Sequence, residues 1–187
     1  MWNNQEYESW DDSTKDETPR NINLNKSKKL FLKKVNNLPN LETIDLSYAG
    51  FVFIGELINN LHALTTLDIS HKSGDIYDSS LRVDLFPESL EHLNMSHNNL
   101  NISMYFMDFQ HLCNLHTLNL SHTGITYLPR CPASLRVLDV SSNSIHNSCQ
   151  ILTNSQIGVI ANLHTLVIHG NVDIFLPDSI PLHILLF

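Results

Sequence analysis

The sequence predicts an α/β solenoid, with parallel strands on a concave face and loops and short helices on a convex face. One pattern, L-x-x-L-x-L-x-x-N-x-L with its apolar and polar substitutes, recurs at intervals of 20 to 28 residues. Within each unit the apolar residues at places four and six alternate with polar ones, as on a short strand with one buried side. No unit can bury its leucines alone, so the units must stack. The clear units begin at Leu41, Leu64, Leu90, Leu115, Leu135 and Leu163.

Weaker units extend the array in both directions. Ile22 and Leu24 fit the strand of an earlier unit, and Leu182, Leu185 and Phe187 fit places one, four and six of a later one. We therefore expect a polar, acidic and poorly ordered segment over residues 1–20 and one repeat domain over residues 21–187.

The segments between strands also carry a pattern. Place nine is occupied by Asn98, Asn143 and Asn171, with Thr123 as a hydroxyl substitute, and an amide there can hydrogen-bond the backbone of adjacent coils. The return segments place apolar residues three and six positions before the next unit. These residues are Ile58 and Leu61 before Leu64, and Phe109 and Leu112 before Leu115. A return helix is expected in QIGVIANL, residues 156–163.

Composition and charge exclude several function classes. An apolar content of 42% and a charged content of 16% are typical of a globular chain, and no run of about 20 apolar residues could span a bilayer. The net charge of −8 repels phosphate backbones, so nucleic acid is not an expected partner. Five lysines in residues 21–40 are interpreted as a solvated face.

The repeat pattern is that of leucine-rich repeats, and the chain resembles animal extracellular members of that superfamily, of the Toll-like receptor and lipopolysaccharide co-receptor type. The resemblance rests on LNLSHTGITYLP, a shortened return and SLRVLDVSSNSI, and it spans residues 41–177. It implies a receptor that binds a ligand outside the cell. The sequence has no cysteine-rich cap, membrane span or signalling domain, so we expect it to be a fragment of such a receptor.

Concave-face residues are the candidates for ligand binding. Side chains at places two, three, five, seven and eight are expected on that face, in rows about 4.8 Å apart. Place seven is serine in five successive units, from Ser47 to Ser141. The candidate binding residues, from places two, three, five and eight, are Asp45, Tyr48, Asp68, His71, His92, Asn94, His97, His116, Asn119, His122 and Asp139.

Histidine is the most distinctive residue type on this face. The chain has 11 histidines, and His71, His97 and His122 occupy place eight in three consecutive units. Such a row could bind a transition metal, could act as a pH-sensing surface, or could be an ordinary set of exposed histidines. A metal needs rings that converge on one point, whereas a row spreads them along a line. We therefore expect no metal site, and no cofactor.

Sequons and cysteines bear on the cellular compartment. The N-x-S sequons at Asn25, Asn94, Asn101 and Asn119 are candidate glycosylation sites, of which Asn101 fits best because it lies just past a strand. Three cysteines cannot form a complete disulfide set. Cys113, which lies in an apolar-periodic stretch, is expected to be buried.

Two function classes fit this architecture. The first is a recognition module of an innate immune receptor, extracellular or secreted, that binds a microbial or protein ligand and for which a receptor dimer is a candidate state. The second is a cytoplasmic scaffold for protein–protein interaction. Either would bind through the concave face or the lateral loops at residues 72–89 and 146–162. No catalytic motif is present, so an enzyme is not expected.

Overall fold

The structure, a computed structural model, contains one sheet of eight strands in sequential order, β1 to β8, in which every neighbouring pair is parallel. It describes residues 20–23, 38–48, 58–71, 83–100, 108–145, 162–172 and 185–186. The strands are β1 (Asn21–Asn23), β2 (Thr43–Asp45), β3 (Thr66–Asp68), β4 (His92–Asn94), β5 (Thr117–Asn119), β6 (Val137–Asp139), β7 (Thr165–Val167) and β8 (Leu185–Leu186). The predicted solenoid with parallel strands is confirmed.

The pairing register aligns equal places of successive repeats. Ile44 pairs with Leu67, Leu67 with Leu93, and the same place continues through Leu118. Strand β1 pairs with β2, and β7 pairs with β8, so units do flank the six clear repeats. The side chains of Leu24, Leu182 and Phe187 lie outside the described residues. Because the register never slips, each place forms one continuous row across the sheet.

The core is built from places one, four and six of each repeat. The central residue of β2, β3 and each strand from β5 to β7 is buried between two half-buried neighbours, as a strand with one covered side requires. Return residues Ile58, Leu61, Phe109 and Leu112 complete the core from the other side, each no more than 1% exposed. Burying a leucine side chain contributes roughly 1.5–3 kcal/mol, so this continuous core holds the coils together.

The polar residues at place nine bond the turns of adjacent coils. Asn98 is buried and its Nδ2 donates to Ile69 O at 2.9 Å and to Met95 O at 2.8 Å. Asn171 makes the equivalent pair of bonds, to Val140 O and Ile168 O. The predicted role of place nine is therefore confirmed. It satisfies carbonyl groups that would otherwise be buried without a partner.

The described part of the convex side contains short turns. A 3-10 helix at Val83–Leu85 precedes β4, and Asp108 forms an isolated parallel bridge with Arg130. The predicted helix in residues 156–163 lies almost entirely outside the described residues. Within the described residues, no helix has the length and apolar character needed to cross a bilayer.

The prediction that Cys113 is buried is wrong. Its side chain is exposed, whereas Cys131 is 5% exposed and lies in the core. Leu112 and Leu115 both point inward from the return turn, which directs the intervening Cys113 toward solvent. The two thiols are free in the described part of the chain.

Candidate binding surface

The residues at place five form the floor of the concave face. Asp45, Asp68, Asn94, Asn119 and Asp139 are all half-buried and lie side by side in the register of the sheet. In each of them, Oδ1 accepts a hydrogen bond from the backbone N–H two residues later, at 2.8 to 3.1 Å. This local bond explains the recurrence of Asp or Asn at place five, because it closes the turn that ends each strand.

Some place-five side chains also bond across coils. Asn23 Nδ2 donates to Asp45 Oδ2, and Asn94 Nδ2 donates to Asp68 Oδ2, both at 2.9 Å. Both carboxylate oxygens of Asp45 and Asp68 therefore have partners within the protein. These bonds hold the row in a fixed geometry and reduce the number of acceptors available to a ligand.

The serines at place seven do not line an accessible surface. Ser47, Ser70, Ser96, Ser121 and Ser141 are buried, with at most 9% of each residue exposed. The hydroxyls of Ser121 and Ser141 donate to the place-five oxygen two residues earlier, at 2.8 and 2.7 Å. The prediction that place seven contributes an exposed row is wrong, because the turn after each strand folds these serines beneath their neighbours.

The residues at place eight form a stack of rings. Tyr48, His71, His97 and His122, which we call the ring stack, have successive ring centroids 4.3, 4.0 and 4.3 Å apart. Neighbouring ring planes differ by no more than 12°. The sequence predicted that these residues would align, and the structure adds that they are in contact face to face.

The backbone conformation at place eight is unusual. The four residues of the ring stack have φ between 54° and 57°, and the row continues with Ser142 at 52° and Gly170 at 70°. This left-handed conformation costs a residue with a side chain roughly 1–2 kcal/mol. This conformation directs each backbone N–H of the ring stack toward the place-seven carbonyl of the next coil, to which it donates at 2.9 or 3.0 Å. The turn therefore repeats identically from coil to coil, and this repetition is what brings the rings into register.

The ring stack is not built as a metal site. Nearly parallel stacked rings hold their nitrogen lone pairs in separate planes about 4 Å apart, so the lone pairs do not converge on one ion. In those parts of the chain that the structure describes, no three His, Cys, Asp or Glu side chains are arranged so that they could hold a metal ion. Burial and the neighbouring imidazoles of His71 and His122 lower the pKa of His97, which favours its neutral form.

The other two candidate histidines lie apart from the ring stack. His92 is the first residue of β4, His116 immediately precedes β5, and both are exposed. They therefore lie at the start of the strands, whereas the ring stack lies beyond their ends. The sequence predicted that these histidines share a face, and the structure places the two sets at opposite ends of the strands.

Place two carries charges that the sequence analysis did not single out. Glu91 and His164 are exposed there, and Glu42 forms an ion pair with Arg20 at 3.2 Å. Arg136 instead donates from Nη1 to the carbonyls of Ala133 and Leu135. The repeat pattern places these charges in the same row as His116, although only His116 was among the candidate binding residues.

Two sequons lie on the floor of the concave face. Asn94 Nδ2, the atom that would carry a glycan, donates to Asp68, and the sequon serines Ser96 and Ser121 are buried. Asn119 is half-buried in the same row. This environment disfavours a glycan at Asn94 and Asn119 in the folded chain. Asn25 and Asn101, most of the loop at 72–89 and nearly all of the loop at 146–162 lie outside the described residues.

Comparison with protein families agrees with this architecture. Two family models, both described as leucine-rich repeat, match residues 89–112 and 111–127. A search of curated proteins found no match. The chain has the leucine-rich repeat fold.

Two solved structures are similar to the chain. Internalin C2 from Listeria monocytogenes str. 4b F2365 has 19% sequence identity and a TM-score of 0.58, over 83% of this chain and 64% of the internalin chain. A TLR13–ssRNA13 complex has 26% identity and a TM-score of 0.53, over 77% of this chain and 20% of that chain. This chain therefore spans about two thirds of the first and one fifth of the second.

Proposed function

We propose that this chain, which has the leucine-rich repeat fold, is a ligand-binding module of an innate immune receptor of Toll-like type. It binds a microbial or protein ligand on its concave face and catalyses no reaction. The chain is one part of a longer receptor, which places it on the extracellular side of a membrane or in a secreted protein.

The observation that carries the proposal is the fixed geometry of the concave face. The place-five side chains are held by bonds to their own turns, and some also by bonds to the adjacent coil. A surface whose side chains are already ordered loses little conformational entropy when a ligand binds. The exposed side chains beside this floor, Glu91, His92 and His116, are then free to provide specificity.

The similarity to the TLR13 complex supports the receptor class. Its identity of 26% exceeds that of the internalin, and the small share of the TLR13 chain that is covered fits a fragment. That complex contains a single-stranded RNA. The net charge of −8 in the present chain favours a protein or an uncharged microbial ligand over RNA.

A second candidate function is an intracellular scaffold. Cys113 presents a free, exposed thiol, and such thiols persist where the compartment is reducing. In that case the same concave face would bind another cytoplasmic protein.

Binding measurements on matched surface variants test the receptor proposal. The concave variant combines Glu91→Ala, His92→Ala and His116→Ala. The control combines Asn59→Ala, Asn60→Ala and Gln110→Ala, three exposed residues of the return segments. Each protein is immobilised and probed by interferometry with lipopolysaccharide, a bacterial lipopeptide, a bacterial flagellar protein and single-stranded RNA.

We expect at least one of the first three probes to bind the unchanged chain. Its Kd should rise about tenfold or more in the concave variant, because side chains that line an interface contribute unequally and a few dominate. The control should bind as the unchanged chain does. Absence of binding by all probes, or equal loss in both variants, would contradict the proposal.

Flanking coding sequence separates the two candidate functions. A leader and a cysteine-rich cap upstream, with a membrane span and a signalling domain downstream, would select the receptor. In-frame stop codons on both sides without such segments would select the scaffold.

A further inference from the structure

The ring stack connects four successive coils in two ways. The backbone N–H groups of Tyr48, His71, His97 and His122 donate to the carbonyls of Ser70, Ser96, Ser121 and Ser141, respectively. The side chains of the same residues contact one another at 4.0 to 4.3 Å between ring centroids. Each coil is therefore joined to the next at one point by a main-chain bond and by a ring contact.

Three of the four rings are imidazoles, the side-chain type that can gain a charge between pH 5 and pH 8. Stacking favours neutral imidazoles, whereas protonation of adjacent rings would put like charges about 4 Å apart. The titratable groups whose charge lowers the pKa of His97 are His71 on one side and His122 on the other. Tyr48 lies beyond His71, and the uncharged Ser142 follows His122 at place eight. Among the described residues that act on His97, none is a carboxylate that could offset the positive charge.

We propose that the ring stack is an acid-sensitive clasp, which joins the coils of β2 to β5 while its imidazoles are neutral and releases the turns after these strands when they are protonated. This role is independent of what the concave face binds. It would make the rigidity of this edge of the solenoid depend on the pH of its surroundings.

The direction in which stability changes with pH follows from the pKa of His97. Burial and its two neighbours lower its pKa, so near pH 6.5 the folded chain binds fewer protons than the unfolded chain. The contribution of His97 to stability is therefore fully present above about pH 6.5, the pKa of an unperturbed histidine, and decreases as the pH falls toward the lowered pKa of the folded state.

Thermal unfolding of matched histidine variants tests the clasp. The clasp variant carries His71→Asn, His97→Asn and His122→Asn, because asparagine tolerates a left-handed backbone. The control carries His62→Asn, His116→Asn and His164→Asn, three exposed histidines outside the ring stack. We expect the Tm of the unchanged chain and of the control to fall between pH 8 and pH 5.5 by about 3 °C more than the Tm of the clasp variant. Equal pH dependence in the clasp variant and the unchanged chain would overturn the proposal.

Amide hydrogen exchange on the unchanged chain provides a test that needs no substitution. After correction for intrinsic rates, protection of the ring-stack amides should fall about tenfold or more between pH 7.5 and pH 5.5. The amides of Met95 and Leu120, which bond Asn119 O and Asp139 O within the sheet, should keep their protection. Unchanged protection of the ring-stack amides, or an equal loss at Met95 and Leu120, would also overturn the proposal. An imidazole titration by NMR should give His97 a midpoint below 6.5.

Discussion

Thr123 donates its backbone N–H to Asn143 Oδ1 in the next coil at 2.9 Å, and its hydroxyl donates to Leu120 O in its own coil at 2.7 Å. Asn143 in turn donates from Nδ2 to Leu120 O at 2.8 Å and to Val140 O at 2.9 Å. Both residues are buried, at 1% and 8% exposure. A threonine can replace asparagine at place nine because its hydroxyl bonds the carbonyl of Leu120 in its own coil, and Met95 O of the preceding coil accepts from Asn98.

Replacing Asn143 with alanine should destabilise the chain strongly. The variant leaves the N–H groups of Thr123 and Ile125 without their side-chain acceptor in a buried site. The carbonyls of Leu120 and Val140 keep the bonds from Thr123 Oγ1 and Asn171 Nδ2. Each unsatisfied buried polar group costs roughly 1–3 kcal/mol, so we expect a loss of about 3 kcal/mol in the free energy of unfolding, measured in urea. Ser144→Ala, at an exposed neighbour, is the control and should change stability by no more than about 0.5 kcal/mol. Equal losses of stability for the two substitutions would show that the side-chain amide of Asn143 does not stabilise the fold.

Leu118→Ala should reveal how continuous the core is. Leu118 is the fully buried centre of β5, and its removal leaves a cavity between adjacent coils. Leucine-to-alanine changes in such sites cost about 3 kcal/mol. Val172, which is 54% exposed, provides the control Val172→Ala. If Leu118→Ala lowers the free energy of unfolding in urea by less than about 1 kcal/mol, the coils separate or repack independently.

Gly170→Ala tests the left-handed turn at place eight. Gly170 has φ of 70°, and a Cβ atom there would lie 3.2 Å from Ser142 Cα and Ser142 Oγ. The backbone strain alone costs about 1–2 kcal/mol, and the close approach to Ser142 adds to it. Gly124→Ala, at φ of 73°, serves as the comparison for backbone strain. We expect the Tm to fall further for Gly170→Ala than for Gly124→Ala, and the reverse order would contradict the close contact.

The two described cysteines should differ in reactivity. Burial, with a smaller effect from Asp108, raises the pKa of the Cys131 thiol to about 12, whereas Cys113 is exposed. Only the thiolate attacks alkylating reagents, so Cys131 should stay unmodified by iodoacetamide at pH 8 while Cys113 reacts. Mass spectrometry of peptides from a Cys149→Ser background gives a clean readout. Equal labelling of both thiols in the folded chain would contradict the burial of Cys131, and labelling in urea controls for reagent access.

Much of the fold could be predicted because it depends on local alternation and on the period of the repeat. Leu93, Leu118 and Leu138 are buried because they recur at place four of a strand with one covered side, and the amide of Asn143 bonds as its place in the pattern predicts. The candidate residues of place five were likewise predicted to lie in one row, which the register confirms. The sequence did not predict that the Oδ1 atoms of these residues accept hydrogen bonds that close the turn after each strand.

The sequence by itself determined that the apolar side chains of places one, four and six face the core and which coils are neighbours, because both follow from the repeat period. Only the tertiary structure decided that Ser96 is buried, that Cys113 is exposed and that His97 stacks between His71 and His122. Each of these outcomes depends on the conformation of a turn and on the contact it makes with neighbouring coils, including coils twenty or more residues away. A histidine or tyrosine does not by itself specify the left-handed backbone at place eight, which is set by the main-chain bond to the next coil.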